Sequence, residues 1–458
     1  MHVGHIRSTI LGDSLARTLR LLGHRVITDN HIGDWGTQFG KLIVGWKEQL
    51  NREALKRAPL SEMERLYKSV DTASKADPAV LERARQELVN LQNGDPENLA
   101  IWREMQTLSQ YQFETIYTRL GVKFDQTLGE SFYNPRLKDV VQELLHAGIA
   151  RESEGAICVF SDGSLAPKQD PFMIEKEGEW ISNPAIIQKS DGAANYTTTD
   201  LATLQYRLET WGPNEIVYVT DGRQQLHFRQ LFSIFRRWHP SVAVTLAHVW
   251  FGSILGDDGR PFRTREGETI KLADLLDEAE QRAFALVSQK NPELPEADRR
   301  EIARVVGVGS VKYADLLPNR QSDYVFSWDK MLALSGNTAP YLLYAYARIR
   351  SIFRKGEVTA EELSSSRSQL IAPEELALAK HLLNFGFVIE AVADEYRPNY
   401  LCNYLYELSG HFARFYESCP VLKAEGSTRA TRLLLSDLTA RVLQRGLDLL
   451  GIETLEQM

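Results

Sequence analysis

Two histidines flank a glycine at the start of the chain, in the segment His2-Val3-Gly4-His5. Hydrophobic residues then recur with helical spacing from Ile6 to Leu22, which places the histidines at the N-terminus of a predicted helix. Unpaired N–H groups and the positive end of the helix dipole favour an anion at this point. Gly4 would let a flat base or a phosphate approach the backbone, and the imidazoles could donate hydrogen bonds to a polyphosphate. The pattern therefore predicts a phosphate site, but four residues alone are weak evidence, and an unstructured terminus is the alternative.

A second pair of polar residues, Tyr196 and Asp200, stands four residues apart in a segment that enters a predicted helix. Residues at this spacing share one helical face. Asp200 could hold a cationic group, and Tyr196 could close over that group. The alternative is that Thr199 or Asp200 simply caps the helix.

Gln224 and His227 follow a predicted buried parallel strand, Glu215–Val219. Ligands of α/β sheets bind at the carboxyl ends of strands, so this turn is well placed for binding. Taken alone, His227 is more often a packing residue. Farther along, the loop 256–267 contains Arg263 and Arg265 among glycines and prolines. It could clamp a polyphosphate, although an ordinary solvated loop is the simpler interpretation.

The elements that must position these residues fall into two blocks. The first helix, a short predicted strand at His24–Asn30 and a glycine-rich turn are typical of an α/β domain, and this pattern resumes at Ala185–Gln188. Between them, a polar stretch predicts three or four helices, and a mixed stretch follows; together these form an insertion at roughly residues 42–192. After residue 336, four predicted helices form an all-α bundle.

The composition excludes several classes of protein. Of the 458 residues, 43% are hydrophobic and 25% charged, which is typical of a soluble globular chain. No apolar run approaches the ~18–20 residues of a membrane helix, and no signal peptide is recognisable, so we expect no membrane association. The three cysteines are too widely spaced for a disulfide framework or a metal site, which predicts a reducing, cytoplasmic compartment. The net charge of -8 neither indicates nor excludes nucleic-acid binding.

Taken in order, these segments resemble arginyl-tRNA synthetases, which are class I aminoacyl-tRNA synthetases. The resemblance extends over almost the whole chain. It is carried by His2–His5 as the HxGH signature, His31–Gly40, the Tyr196/Asp200/Gln224 set, the Arg263-Thr264-Arg265 loop in place of KMSKS, Asn337–Arg348, and the C-terminal stretch Gly446–Met458.

The resemblance implies a Rossmann-type catalytic domain over residues 1–335, with the insertion at 42–192 and the KMSKS-like loop at 256–267. An all-α anticodon-binding domain would occupy residues 336–458. The implied activity is ligation of L-arginine to tRNA(Arg), with ATP as substrate, Mg²⁺ accompanying it, and AMP and pyrophosphate as products. Family members generally need bound tRNA even for the first step. We expect no resident metal site and a monomer.

Roles for individual residues follow from the same resemblance. His2 and His5, with Arg263 and Arg265, would be catalytic, and ATP would lie against His2, Gly4, His5 and His227. Tyr196, Asp200 and Gln224 would hold arginine. Tyr344, Arg348 and Met458 would contact tRNA.

The chain departs from the family in two respects. The KMSKS position lacks its usual lysine. Arginyl enzymes often compensate with a lysine just upstream of HxGH, but here only Met1 lies upstream. The strand that should precede HxGH is also missing. We therefore expect an N-terminally incomplete chain that is not a competent enzyme as it stands, with an empty slot in its sheet and poorly fixed histidines. The alternatives are a non-catalytic tRNA-binding paralogue or, less favoured, an HxGH nucleotidyltransferase.

Overall fold

The fold is described from a computed structural model that covers residues 1–256, 258–260, 262, 270–359 and 369–458. The predicted catalytic residues Arg263 and Arg265 lie outside the described residues. Most of the flanking loop 256–267 is likewise not described, so its role stays a prediction.

Helices account for most of the described chain. In order they are α1 Ile6–Leu21, α2 Thr37–Gln49, α3 Arg52–Arg57, α4 Pro59–Ala76, α5 Pro78–Gln92, α6 Pro96–Arg119, α7 Leu137–His146, α8 Tyr196–Trp211, α9 Gln225–Trp238, α10 Leu272–Lys290, α11 Glu296–Leu316, α12 Trp328–Met331, α13 Ala339–Gly356, α14 Pro373–Leu383, α15 Phe385–Glu395, α16 Asn399–Ser418 and α17 Gly426–Leu449. Short 3₁₀ turns lie at Val3–His5, Glu130–Arg136 and Gly222–Gln224.

The strands of the described residues are short and form four small sheets. They are β1 Ala150–Ser153, β2 Ala156–Val159, β3 Met173–Lys176, β4 Glu179–Ser182, β5 Ala185–Gln188, β6 Glu215–Tyr218, β7 Thr245–His248, β8 Ile254–Leu255 and β9 Tyr324–Val325. An antiparallel sheet has the order β1-β2-β5, and β3-β4 is an antiparallel hairpin. The pairs β6-β7 and β8-β9 are parallel.

The parallel sheet differs from the predicted one in two places. His24–Asn30 is extended but forms no strand; within it, Asp29 makes a single bridge to Gln126. Ala185–Gln188 is a strand, as predicted, but it belongs to the antiparallel sheet of the insertion. Among the described residues, β6 is hydrogen-bonded only to β7, and the segment Glu215–Asp221 lines a large cleft. The expected open slot beside β6 stays a prediction.

The helical part of the insertion contains five helices, α2 to α6, rather than three or four. They enclose a core of their own, built around Ile43, Trp46 and Leu66. Helices α2 and α5 pack closely because Gly40 has no side chain: a Cβ there would lie 2.0 Å from the carbonyl oxygen of Ala84. This close approach fixes how the two helices meet.

In the described part of the C-terminal bundle there are five helices rather than the four predicted, because Asn384 separates α14 from α15. The combined segment Pro373–Glu395 is long and apolar enough to cross a membrane by composition alone, contrary to the sequence expectation. In the fold, both helices turn apolar residues such as Leu378 and Val392 into the bundle core.

One hydrophobic core joins the first helix to the C-terminal bundle. It runs from Val3 and Ile6, through α10 and α11, to Leu447 and Ile452. Polar contacts reinforce this junction: Arg17 of α1 binds Asp448 at 3.1 Å. The bundle thus supports the helix that begins with the two histidines.

Candidate active site

The predicted substrate residues meet in one open cleft with a volume of 2310 Å³. Its wall includes the turn that holds His2 and His5, the first turn of α8 and the start of α9. The cleft also borders the free side of β6. Residues about 200 positions apart in the sequence therefore line the same cleft.

In the histidine turn, local hydrogen bonds hold both rings. The backbone N–H of Gly4 donates to Nδ1 of His2 at 3.1 Å, and the N–H of His2 donates to Nδ1 of His5 at 3.1 Å. The ring centroids lie 3.8 Å apart. A side chain at Gly4 would collide with the His2 ring, which lies 2.9 Å from the Cβ position. The expectation of poorly fixed histidines is therefore wrong.

The same hydrogen bonds determine where the ring protons are. A nitrogen that accepts a hydrogen bond carries no proton, so each neutral ring holds its proton on Nε2. Burial lowers the pKa of His2, and burial together with the neighbouring His2 lowers the pKa of His5 to about 4. Both rings are consequently neutral at physiological pH, and they offer N–H donors rather than charge.

The second group surrounds Asp200. His227 Nε2 lies 2.6 Å from one carboxylate oxygen of Asp200, and His31 Nε2 lies 3.9 Å from the other. Tyr196 covers His227, with ring centroids 4.7 Å apart. Asn195 caps α8 through its side-chain oxygen, so neither Thr199 nor Asp200 serves as the cap. Asp200 is only 17% exposed and faces the cleft, as a cation-binding carboxylate requires.

His227 lies with the Asp200 group, although it was predicted beside ATP. The carboxylate-bound ring connects α8 to α9. Gln224, one turn earlier, is exposed in the cleft at the end of the Gly222–Gln224 turn, which Asp221 caps through the N–H of Arg223 at 2.8 Å. Gln224 and His227 therefore approach the chamber from the carboxyl end of β6, where the sequence placed them.

Sequence reasoning missed Glu130, which also lines the cleft. Its segment is clamped by Asp34, whose carboxylate accepts the backbone N–H and the hydroxyl of Ser131 at 2.8 and 2.6 Å. Burial, with Asp200 and Asp34 nearby, raises the pKa of Glu130 to about 7. No single motif signals this residue, because it acts through neighbours distant in sequence.

The predicted tRNA residues lie on the C-terminal bundle. Tyr344 and Arg348 are exposed one turn apart on α13, and the Arg348 guanidinium lies 5.1 Å from the centre of the Tyr416 ring. Met458 lies in a tail that is held on a different face of α13, since Glu456 accepts from Tyr346 and Arg350 at 2.9 and 2.8 Å. The structure thus brings two of the three together and leaves Met458 apart.

Two family models together match almost the whole chain. Residues 1–328 match the class I tRNA synthetase (R) catalytic domain, and residues 342–458 match the DALR anticodon-binding domain. The arginine–tRNA ligase of Hahella chejuensis is 47% identical over 462 residues, covering 100% of this chain and 78% of that protein. The chain belongs to the arginyl-tRNA synthetase family. An Escherichia coli arginine–tRNA ligase is 46% identical with the same coverage, and these relatives are longer at the N-terminus.

Solved arginyl-tRNA synthetases have the same fold. The Plasmodium falciparum enzyme superposes with a TM-score of 0.83 at 31% identity, covering 100% of this chain and 74% of that one. The Thermus thermophilus enzyme gives 0.81 at 26% identity, covering 100% and 80%. The predicted class, an α/β class I synthetase domain followed by a helical bundle, is confirmed.

Proposed function

We propose that this chain activates L-arginine with ATP and transfers it to tRNA(Arg). The observation that carries the proposal is the meeting of the two neutral histidines with a carboxylate-lined pocket in a single cleft. One side suits a polyphosphate, and the other suits a cationic amino acid. A nucleotidyltransferase for small phosphate esters would leave the DALR domain unexplained.

In the first step the carboxylate of arginine attacks the α-phosphorus of ATP. An oxygen–phosphorus bond forms, the bond to the bridging oxygen breaks, and pyrophosphate leaves. The Nε2–H groups of His2 and His5 donate to phosphate oxygens as negative charge builds in the transition state. Because both rings are neutral, they neither repel Mg²⁺ nor supply charge themselves.

Arginine binding falls to the residues around α8 and α9. Asp200 pairs with a cationic group of arginine, Tyr196 closes over it, and Gln224 hydrogen-bonds to it. His227 holds the Asp200 carboxylate in place and borders the ATP position. The neighbouring carboxylate of Glu130 makes the pocket still more favourable for a cation.

Mg²⁺ enters with ATP. Among the residues described, no group of three or more His, Cys, Asp or Glu side chains could hold a metal ion. A nucleotide-bound Mg²⁺ would usually take phosphate oxygens and water as ligands. Arg263 and Arg265 remain proposed contacts to the departing pyrophosphate.

In the second step a ribose hydroxyl at the 3′ end of tRNA attacks the arginyl carbonyl, and AMP leaves. We assign catalysis to residues 1–335 and anticodon binding to 336–458. Tyr344 and Arg348 offer a ring and a cation for unstacked RNA bases, with Met458 at the tail. We further propose a cytoplasmic monomer.

The test is arginine-dependent ATP–pyrophosphate exchange, with and without tRNA(Arg), followed by charging of the tRNA. We expect exchange with arginine but not with citrulline, its uncharged isostere. His5→Ala should abolish exchange, whereas His146→Ala, an exposed histidine on α7, should not. Binding of tRNA without exchange or charging would favour the non-catalytic paralogue.

A further inference from the structure

We propose that Lys271 binds the terminal phosphates of ATP and stays on pyrophosphate as it leaves. The proposal rests on the ATP site described above and identifies a positive charge for it. It concerns a lysine that no motif pointed to, at the residue before α10.

The backbone holds Lys271 directly against the histidine turn. His2 and Lys271 form an antiparallel bridge, and the N–H of Val3 donates to the carbonyl of Ile270 at 2.9 Å. On the other side, the N–H of Leu272 donates to the carbonyl of Met1 at 3.3 Å. These bonds fix the Cα of Lys271 beside His2, whatever the side chain does.

The Lys271 side chain opens into the same cleft as His2, Gly4 and His5. It is 54% exposed, so it is free to reorient toward a ligand. A lysine carries a compact charge on a four-carbon stem, which suits it to a polyphosphate whose oxygens lie several ångströms from the backbone.

The two histidine rings themselves supply no charge. Both imidazoles are neutral at physiological pH, because burial lowers their pKa values. Neutral donors orient a phosphate but do not balance the negative charge of a triphosphate or of departing pyrophosphate. The ammonium of Lys271 provides that balance beside the turn.

The ion pair that Lys271 makes in this structure is weak enough to be exchanged for a ligand. Its Nζ lies 3.6 Å from Glu64 of α4, and Glu64 is held more closely by Lys68 at 2.8 Å. Glu64 thus keeps a cationic partner if Lys271 turns away. By contrast, Arg207 and Arg119, which also line the cleft, are each held at 2.8 Å by carboxylates.

The experiment compares binding of ATP, AMP and inorganic pyrophosphate to the 458-residue chain, measured by titration calorimetry. Lys271→Met should weaken ATP and pyrophosphate by about 10- to 100-fold, the loss of one charge-assisted hydrogen bond, and should leave AMP unchanged. Lys271→Arg should restore most of the affinity. Lys68→Met, which removes a lysine from the same carboxylate, is the matched control and should change none of the three.

Three results would overturn the proposal. Equal weakening of ATP and AMP by Lys271→Met would mean that the residue only supports the histidine turn. Unchanged binding of ATP and pyrophosphate would show that it does not contact the terminal phosphates. If the unmodified chain bound pyrophosphate but neither ATP nor AMP, the ATP site itself would be refuted, separately from the lysine.

Discussion

Replacing Asp200 with asparagine should selectively impair arginine binding. Two opposite charges about 4 Å apart attract by roughly 4 kcal/mol at the effective dielectric of a protein surface. At 17% exposure, Asp200 is largely shielded from water, but His227 already occupies one of its oxygens at 2.6 Å. We therefore take about 2–3 kcal/mol as the loss, which weakens arginine binding by about 30- to 150-fold.

The assay is calorimetric titration of arginine, citrulline and ATP into the original chain and Asp200→Asn. Asparagine keeps the volume and one acceptor oxygen, so the melting temperature should show that the variant is folded. The preference for arginine over citrulline should shrink, while ATP affinity stays the same. Asp298→Asn, an exposed carboxylate at the start of α11, is the control. If Asp200→Asn changed arginine affinity by less than threefold, or weakened ATP equally, the assignment would be wrong.

Three further outcomes are expected. The pKa of Glu130 is raised to about 7, and a bound cation favours its ionised form. Arginine affinity, measured in a pH series of titrations, should therefore rise between about pH 6 and 8. Glu130→Gln should flatten that pH dependence. Gly40→Ala should lower the free energy of unfolding by about 1–3 kcal/mol or more in urea melts, since its Cβ would overlap α5. Gly386→Ala, whose Cβ would have no atom within 4 Å, should instead stabilise α15 by up to about 1 kcal/mol. Tyr344→Ala should weaken tRNA(Arg) binding about 5- to 150-fold in a fluorescence titration. Phe387→Ala, which removes an even more exposed aromatic ring, should not, and identical effects would refute the stacking role.

Local patterns were sufficient to place much of the site. Helical periodicity located α1 and put His2 and His5 at its start, and the four-residue spacing put Tyr196 and Asp200 on one face of α8. The carboxyl-end rule brought Gln224 to the cleft, because β6 is a parallel strand as predicted. These are short-range features, in which the geometry of a single element decides the outcome.

The remaining features depend on contacts between distant segments. His24–Asn30 has the composition of a strand, but extended residues form a ladder only where a neighbour runs alongside them. Glu130 and Lys271 reach the cleft through Asp34 and the His2 backbone, which are 96 and 269 positions away. Their side-chain types alone carry no sign of this, since most glutamates and lysines are solvated.

The core shared by α1 and the bundle bears on how this protein can be taken apart. A chain cut before Gly336 would remove Leu447 and Ile452 from the core that they share with Ile6 and Ile10, and would leave Arg17 without Asp448. Such a fragment would unfold, so a loss of RNA binding could not be attributed to the missing bundle. The two parts are therefore not independent modules. A chimera with another anticodon-binding bundle would need a redesigned first helix as well.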